Sequence, residues 1–252
     1  MNHWMERARA GGIHLGASVV VALLAAALVF SVWYPYPYRD ASGGRALFML
    51  VVSVDVIVGP LLTFAIFNRK KPLAELKRDL AVVVVLQLGA LAYGLWTVYV
   101  ARPVFLAFEI DRFRVVHAVE IDDKLLPKAP AGLRTLPLTG PRQLAVREFK
   151  DSNESGEATM AALAGVSLSA RPDLWQSYNQ ARERVRAQSK PAARLLQRFP
   201  AQKARIEAAV KESGRGLEQL SYLPMSSRMQ FWTVLLDSRT MDVVGFIDLD
   251  SF

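Results

Sequence analysis

Residues 46–67 read ALFMLVVSVDVIVGPLLTFAIF, an apolar run that contains a single charged side chain, Asp55. A helix of about 20 apolar residues is long enough to cross the hydrocarbon core of a bilayer. Two further apolar runs flank this one, at about residues 13–33 and 80–101. The sequence therefore predicts a membrane protein in which residues 1–101 form a module of three transmembrane helices.

Residues 102–252 have the composition of a water-soluble domain that is long enough to bury one core. Alternating, β-branched and aromatic stretches predict strands, and periodic stretches bounded by Pro and Gly predict helices. The predicted strands are 104–110, 113–121, 143–149, 229–236 and 241–249; the predicted helices are 154–163, 172–188, 191–199 and 201–212. We expect an α+β soluble domain whose closing hairpin, around the turn at 237–240, pairs with the first strands.

Basic residues in the short loops predict the orientation of the three helices, because cytoplasmic loops are rich in Lys and Arg. Arg7 and Arg9 precede the first apolar run, and the second loop holds five basic residues, whereas the first loop holds only Arg39 and Arg45. The five are Arg69, Lys70, Lys71, Lys77 and Arg78. The N-terminus is then cytoplasmic, and residues 102–252 lie in the periplasm of a Gram-negative cell, attached to the inner membrane.

The first apolar run has two interpretations, a cleaved signal peptide or a retained membrane anchor. It is longer than the usual apolar region of a signal peptide, and it continues into an aromatic segment instead of a small-residue cleavage site. That segment, 33–38, is rich in Trp and Tyr and is typical of the aromatic belt at a membrane surface. We therefore predict a retained anchor with an interfacial belt.

Asp55 is the most unusual residue of the predicted membrane module. A carboxylate at the centre of a spanning helix costs roughly 2.5–3.5 kcal/mol on insertion scales, so it is expected to face protein rather than lipid, or to be protonated. Tyr93 lies at a similar predicted depth and offers a hydroxyl to it, while Gln87 lies nearer the cytoplasmic side. Two readings remain open: a polar contact with a partner's membrane helix, or an internal bond that fixes the packing of the three helices.

Glycine and proline near Asp55 predict the local shape of these helices. Pro60 has no backbone N–H and is expected to kink the second helix. Gly59, Gly89 and Gly94 are expected to allow close approach between helices.

A search for chemistry gives no catalytic centre. The chain has no cysteine and three separated histidines, His3, His14 and His117, and it carries no zinc, phosphate-loop or nucleophile-elbow motif. We expect neither a metal nor a cofactor at the acidic pairs 122–123 and 248–250, and a partly buried strand position for His117 rather than a general base. Six basic residues are expected to form a solvated face rather than a phosphate site, and the modest charge argues against nucleic acid as a partner. They are Arg182, Arg184, Arg186, Lys190, Arg194 and Arg198.

An ordered set of short segments resembles the type IV pilin accessory protein family of the TfpX/TfpZ type. The segments are 34–35, 55–63, 79–80, Gln87, 93–94, 101–104, 108–119, 222–224 and Asp237 with the closing hairpin. The chain departs from the family at its end, where a proline is expected after the acidic residue of 248–252.

The resemblance implies a non-enzymatic inner-membrane protein that binds the major type IV pilin and supports pilus assembly or surface pilus levels, with no catalytic residues. The expected partner-binding residues, chosen as the unusual groups of the membrane module, are Asp55, Gly59, Pro60, Gln87 and Tyr93. The alternative is a membrane-anchored periplasmic sensor or enzyme of unknown substrate.

Overall fold

The structure, a computed structural model, describes residues 3–68 and 70–252 of the 252-residue chain. Arg69, one of the basic residues of the predicted cytoplasmic loop, lies outside the described residues. The chain divides into two compact units. One contains the residues up to Arg39 together with Gly43–Ala101, and the other contains Asp40–Ser42 and Arg102–Phe252. The first is helical and the second holds a mixed sheet with helices, which confirms the predicted fold class.

Three apolar helices of the first unit are long enough to cross a membrane: Trp4–Trp33, Gly44–Ile66 and Leu73–Val100. We call them the first, second and third membrane helices. Within them lie α1 (His3–Leu28), α3 (Gly44–Ser53), α4 (Gly59–Ile66) and α5 (Leu73–Val100), with the short helix α2 (Tyr38–Ala41) after the first. A π-helical turn, Val29–Trp33, ends the first membrane helix, and a second one, Val54–Val58, interrupts the second membrane helix.

The aromatic segment after the first membrane helix is a packing element of the first unit. Tyr34 is only 1% exposed, and its hydroxyl donates to the backbone carbonyl of Val98 at 3.2 Å. A Cβ at Gly44 would lie 2.3 Å from the Tyr34 ring, so only glycine admits this contact. The predicted interfacial belt is therefore wrong for Tyr34, because the ring is covered by the start of the second membrane helix.

The second unit is built on one mixed sheet with the strand order β4-β3-β1-β2-β6-β7-β8, and β5 also pairs with β6. The strands are β1 (Pro103–Glu109), β2 (Arg112–His117), β3 (Arg142–Val146), β4 (Trp175–Ser177), β5 (Lys190–Pro191), β6 (Leu220–Ser226), β7 (Phe231–Asp237) and β8 (Val243–Ile247). β1 pairs antiparallel with β2 and parallel with β3, and β2 pairs parallel with β6. The closing hairpin of β7 and β8 is confirmed.

The predicted pairing of that hairpin with the first strands is wrong, because β6 lies between them. Sequence analysis missed β6, whose Pro224 argues against a central strand. The structure tolerates this proline because β5 pairs with β6 at Ser221 and Tyr222, and β2 pairs with it at Met225 and Ser226. Pro224 lies between these two partners, where no ladder bond from its missing N–H is needed.

Helices of the second unit follow the predicted order with one correction. They are α6 (Ser152–Leu163), α7 (Tyr178–Gln188), α8 (Ala193–Arg198) and α9 (Lys203–Glu212). The predicted helix 172–188 is wrong in its first part, which forms a 3-10 turn, Pro172–Leu174, and then β4. The sheet explains this difference, since Trp175 pairs with Val146 of β3 and its ring packs against Phe105 at 4.9 Å between centroids.

Candidate functional site

A pocket of about 180 Å³ opens among the three membrane helices of the first unit. All three helices line it: His14, Ala17, Ser18, Val21 and Ala22 from the first, Val52 and Asp55 from the second, and Val84, Gln87, Leu88 and Leu91 from the third. We call this pocket the Asp55 groove. Apolar side chains dominate its walls, and Asp55 contributes its one carboxylate.

Asp55 is 8% exposed, and its Oδ1 atom is buried without a hydrogen-bond partner among the described residues. A buried polar atom without a partner costs free energy, so its presence calls for an explanation. The expected hydroxyl contact from Tyr93 is wrong: that side chain is 74% exposed and does not line the groove. Gln87, six residues earlier, lines the groove instead. Six residues correspond to about 1.7 helical turns, so the two side chains leave the helix in different directions.

Gln87 bonds the backbone of Asp55 rather than its side chain. The Nε2 amide donates to the Asp55 carbonyl oxygen at 3.1 Å. In a π-helical turn the N–H of a residue bonds the carbonyl five residues earlier, so the Asp55 carbonyl faces residue 60. Residue 60 is proline and has no N–H to donate. Gln87 therefore supplies the donor that Pro60 lacks, and this bond is an internal polar contact of the site.

Gly59 makes room for that contact. A Cβ at Gly59 would lie 1.8 Å from Gln87 Nε2 and 2.4 Å from its Cδ, so a larger residue would displace the amide. Gly94 is also close to its neighbour, because a Cβ there would lie 2.3 Å from Val51 Cγ1. The expectation for Gly89 is wrong, since nothing lies within 4 Å of a Cβ built on it. A π-helical turn, Val54–Val58, lies directly before Gly59 and Pro60, where the sequence predicts a kink.

The first membrane helix contributes residues that sequence analysis did not select. His14 lies 2.5 Å through Nδ1 from the hydroxyl of Thr63, and Ser18 follows one turn later on the same face. The signal was present in the sequence, because the residues of this helix that line the groove recur at spacings of three and four. This spacing did not identify the site, because small and polar residues on a helix face do not indicate which neighbouring helix packs against it.

Acidic and histidine side chains of the second unit form no metal site among the described residues. His117 ends β2 at 1% exposure, and its Nδ1 lies 3.0 Å from Glu120 Oε1. Burial raises the pKa of Glu120, but the hydrogen bonds with His117 and the charges of His117 and Arg114 together outweigh it, so the pKa is lowered overall. The predicted strand position of His117 is confirmed, and its side chain is buried rather than partly buried.

Most of the basic residues of the second unit form hydrogen bonds or ion pairs with its backbone carbonyls and carboxylates. Arg182 binds Asp242 at 2.6 Å, Arg184 donates to the Val146 carbonyl at 2.6 Å, and Arg198 donates to the Ser251 carbonyl at 2.9 Å. These contacts hold neighbouring segments of the unit together. The three arginines of the predicted solvated face are therefore only partly solvated. Lys190 and Arg194 remain exposed beside Tyr222.

Arg147, which directly follows β3, forms a two-bond ion pair with Glu154 of α6. Arg147 Nη2 lies 2.6 Å from Glu154 Oε1, and Arg147 Nη1 donates to Oε2 at 2.8 Å. Together with the backbone N–H of Lys150, this guanidinium lowers the pKa of Glu154 to about 2. Glu154 is therefore ionised at any physiological pH.

Comparison with known proteins gives one consistent group of relatives. The chain is similar to a fimbrial assembly protein of serogroup I from Dichelobacter nodosus, with 37% identity over 247 residues that cover 97% of this chain and 96% of that protein. A serogroup E1 protein of the same organism is 36% identical with the same coverage. A third, of serogroups C1 and C2, is 43% identical over 122 residues, which are 48% of this chain and 93% of that protein.

A sequence model of the fimbrial assembly protein FimB family matches residues 2–43. No solved structure matches the chain. The similarity to the serogroup I and E1 proteins extends over nearly the whole of both chains, well beyond the part that the family model matches. The protein therefore belongs to the fimbrial assembly protein FimB family.

Proposed function

We propose that this protein is an inner-membrane accessory factor, of the TfpX/TfpZ type, that binds the major type IV pilin and supports pilus assembly or surface pilus levels. One observation carries the proposal: relatives named fimbrial assembly proteins match 97% of the chain, including both units. A fold shared at this level makes a shared role the first hypothesis to test, although fold alone does not define function.

The proposed topology places the N-terminus in the cytoplasm and residues 102–252 in the periplasm. It follows from the basic residues before the first membrane helix and between the second and third. A pilin subunit that waits in the membrane presents a membrane helix and a periplasmic head, so the two units of this protein offer a contact at each level. The proposed membrane-level site comprises Asp55, Gly59, Pro60, Gln87 and Tyr93, in which Gln87 and Gly59 hold the backbone of Asp55 in place.

The experiment compares surface pili with total pilin in a strain that lacks this gene. An accessory factor gives fewer surface pili, and plasmid-borne full-length protein restores them. The soluble unit expressed with a cleavable export signal serves as a matched control that lacks the membrane helices, and it is expected not to restore them. Normal surface pili and normal twitching in the deletion strain would refute the proposal.

Direct binding is tested by affinity purification of the full-length protein from detergent-solubilised membranes of a strain that makes the cognate pilin. We expect the pilin to co-purify with the full chain more strongly than with either half, because each half keeps only one contact. Absence of the pilin from the full-length sample, with and without crosslinker, would count against a binding role.

A further inference from the structure

We propose that the Asp55 groove accepts a neutral hydrogen-bond donor, such as a hydroxyl or an amide, from the membrane helix of the fimbrial subunit. The inference rests on the proposed function and specifies how its membrane-level contact works. It assigns the acceptor role to Asp55 Oδ1. Gln87 and Gly59 are positioning residues that act through the backbone of Asp55.

The first argument is that the protein itself does not use this carboxylate oxygen. The internal contact between the second and third membrane helices is made by Gln87 and the Asp55 backbone carbonyl. Oδ1 remains buried and without a partner among the described residues. The internal bond between these two helices is therefore made by the backbone carbonyl of Asp55. The side-chain oxygen Oδ1 remains available to a partner.

The second argument is that the backbone holds the carboxylate in place. Asp55 sits within the π-helical turn Val54–Val58, a feature that occurs frequently at functional sites. Gln87 fastens the carbonyl of the same residue, and Gly59 leaves space for the Gln87 amide. An acceptor that is fixed before binding loses little conformational entropy when a partner arrives.

The third argument concerns the occupant. Lipid tails have no donor, whereas a protein helix that enters the groove can bring one to Oδ1. The first membrane helix presents Ala17, Ser18 and Ala22 to the groove, and small residues let another helix approach closely. A neutral donor fits better than a cation, because a second buried charge adds its own desolvation cost.

A second copy of this chain is the competing occupant, since the hydroxyl of Tyr93 is carried on an exposed part of the third membrane helix. The fimbrial subunit is preferred because relatives named fimbrial assembly proteins match 97% of the chain, including the helices that line the groove. The experiment includes an arm for each occupant.

The experiment measures how much cognate pilin co-purifies with full-length variants from solubilised membranes. We expect Asp55→Ala to reduce pilin capture by about fivefold, the size of one lost hydrogen bond between membrane helices. Asp55→Asn is expected to keep more than half of the capture, because its amide oxygen still accepts. Ser53→Ala is the matched control: Ser53 lies on the same helix, but its hydroxyl bonds its own backbone at Leu50, 2.8 Å away.

The outcomes separate the inference from the proposed function. If wild-type protein captures no pilin, the proposed function fails. If wild type captures pilin and Asp55→Ala captures the same amount, the function stands and the inference is overturned. Equal losses in Asp55→Ala and Asp55→Asn overturn the neutral hydrogen bond in favour of an ion pair. Equal membrane levels and equal thermal stability of the variants in detergent exclude misfolding as the cause of a loss.

A crosslinking arm identifies the occupant, and the absence of cysteine from the native chain makes single-cysteine variants clean reporters. A thiol-reactive photocrosslinker attached to Ser18→Cys lies at the groove. The same reagent attached to Leu24→Cys lies at an exposed position of the same helix that does not line the groove. Crosslinks to pilin from Ser18→Cys in excess of Leu24→Cys support the inference. Crosslinks mainly between two copies of this chain, abolished by Tyr93→Phe, overturn it.

Discussion

The membrane unit and the soluble unit differ in the hydrogen-bond partners of their buried or partly buried carboxylates. In the soluble unit, Glu154 and Asp237 are each paired with an arginine, at 2.6 and 2.9 Å. In the membrane unit, Asp55 Oδ1 has no hydrogen-bond partner within residues 3–68 and 70–252. It is the only carboxylate oxygen among the buried unpartnered side-chain atoms that the structure describes. The ion pairs of the soluble unit stabilise its fold, whereas the unpaired Asp55 oxygen is the group to which we assign a binding role.

The largest effect is expected in the core of the soluble unit. Phe105→Ala removes a fully buried ring that packs on Trp175, and should lower the free energy of unfolding by about 3–5 kcal/mol. Denaturation of the full-length protein in detergent, followed by tryptophan fluorescence, measures it. Phe231→Ala is the control, because its ring is half exposed, and it should cost less than about 1 kcal/mol. Similar losses for both would mean that the sheet core is not where stability resides.

The next effect contrasts exposed leucines of the two units. Leu24 is 68% exposed on the first membrane helix, and Leu163 is 79% exposed at the end of α6. Leu24→Lys should make insertion of its helix less favourable by about 2.5–3.5 kcal/mol, because the ammonium enters hydrocarbon. Leu163→Lys should change the free energy of unfolding by less than about 0.5 kcal/mol, because its surroundings are water. Glycosylation-tagged insertion assays and detergent melts measure the two; equal tolerance of both would contradict the assignment of the first helix to the membrane.

A smaller effect tests how the backbone of Asp55 is held. Gly59→Ala should displace the Gln87 amide and cost about 0.5–1.5 kcal/mol of stability, the value of one hydrogen bond. Gly89→Ala is the control on the neighbouring helix, where a Cβ meets open space, and it should be neutral or slightly stabilising. Resistance of the purified protein to heat in detergent compares them. A Gly59→Ala protein as stable as Gly89→Ala would show that the Gln87 contact contributes nothing.

The smallest effect is the pH dependence of the Arg147–Glu154 pair. The pKa of Glu154 falls from its ordinary 4.5 to about 2 on folding, so the pair stabilises the folded state fully above pH 4.5. This contribution is lost as the pH falls through about 2, because the carboxylate is then protonated. The difference in melting temperature between wild type and Glu154→Gln should therefore shrink between pH 5 and pH 2. A difference that does not change with pH would refute the pairing.

Local sequence was sufficient for the parts of this fold that depend on short stretches. The length and apolarity of residues 46–67 predict a membrane helix whatever surrounds it, because every backbone polar group in a bilayer must be satisfied within the segment. The hairpin of β7 and β8 follows likewise from two apolar runs joined by a short polar turn. Asp55 stands out for the same reason, as a charge where none is expected.

Tertiary structure alone decided which distant residues meet. Gln87 bonds the carbonyl of Asp55 across 32 positions of sequence, and no local pattern indicates that Gln87 rather than Tyr93 turns toward it. Pro224 is typical of a position that interrupts a strand, yet β6 lies in the centre of the sheet. It is tolerated because β5 and β2 pair with β6 on either side of Pro224, so no ladder bond from a residue-224 N–H is needed. Composition and period act within a segment, whereas the rotation of a helix and the order of strands depend on packing between segments.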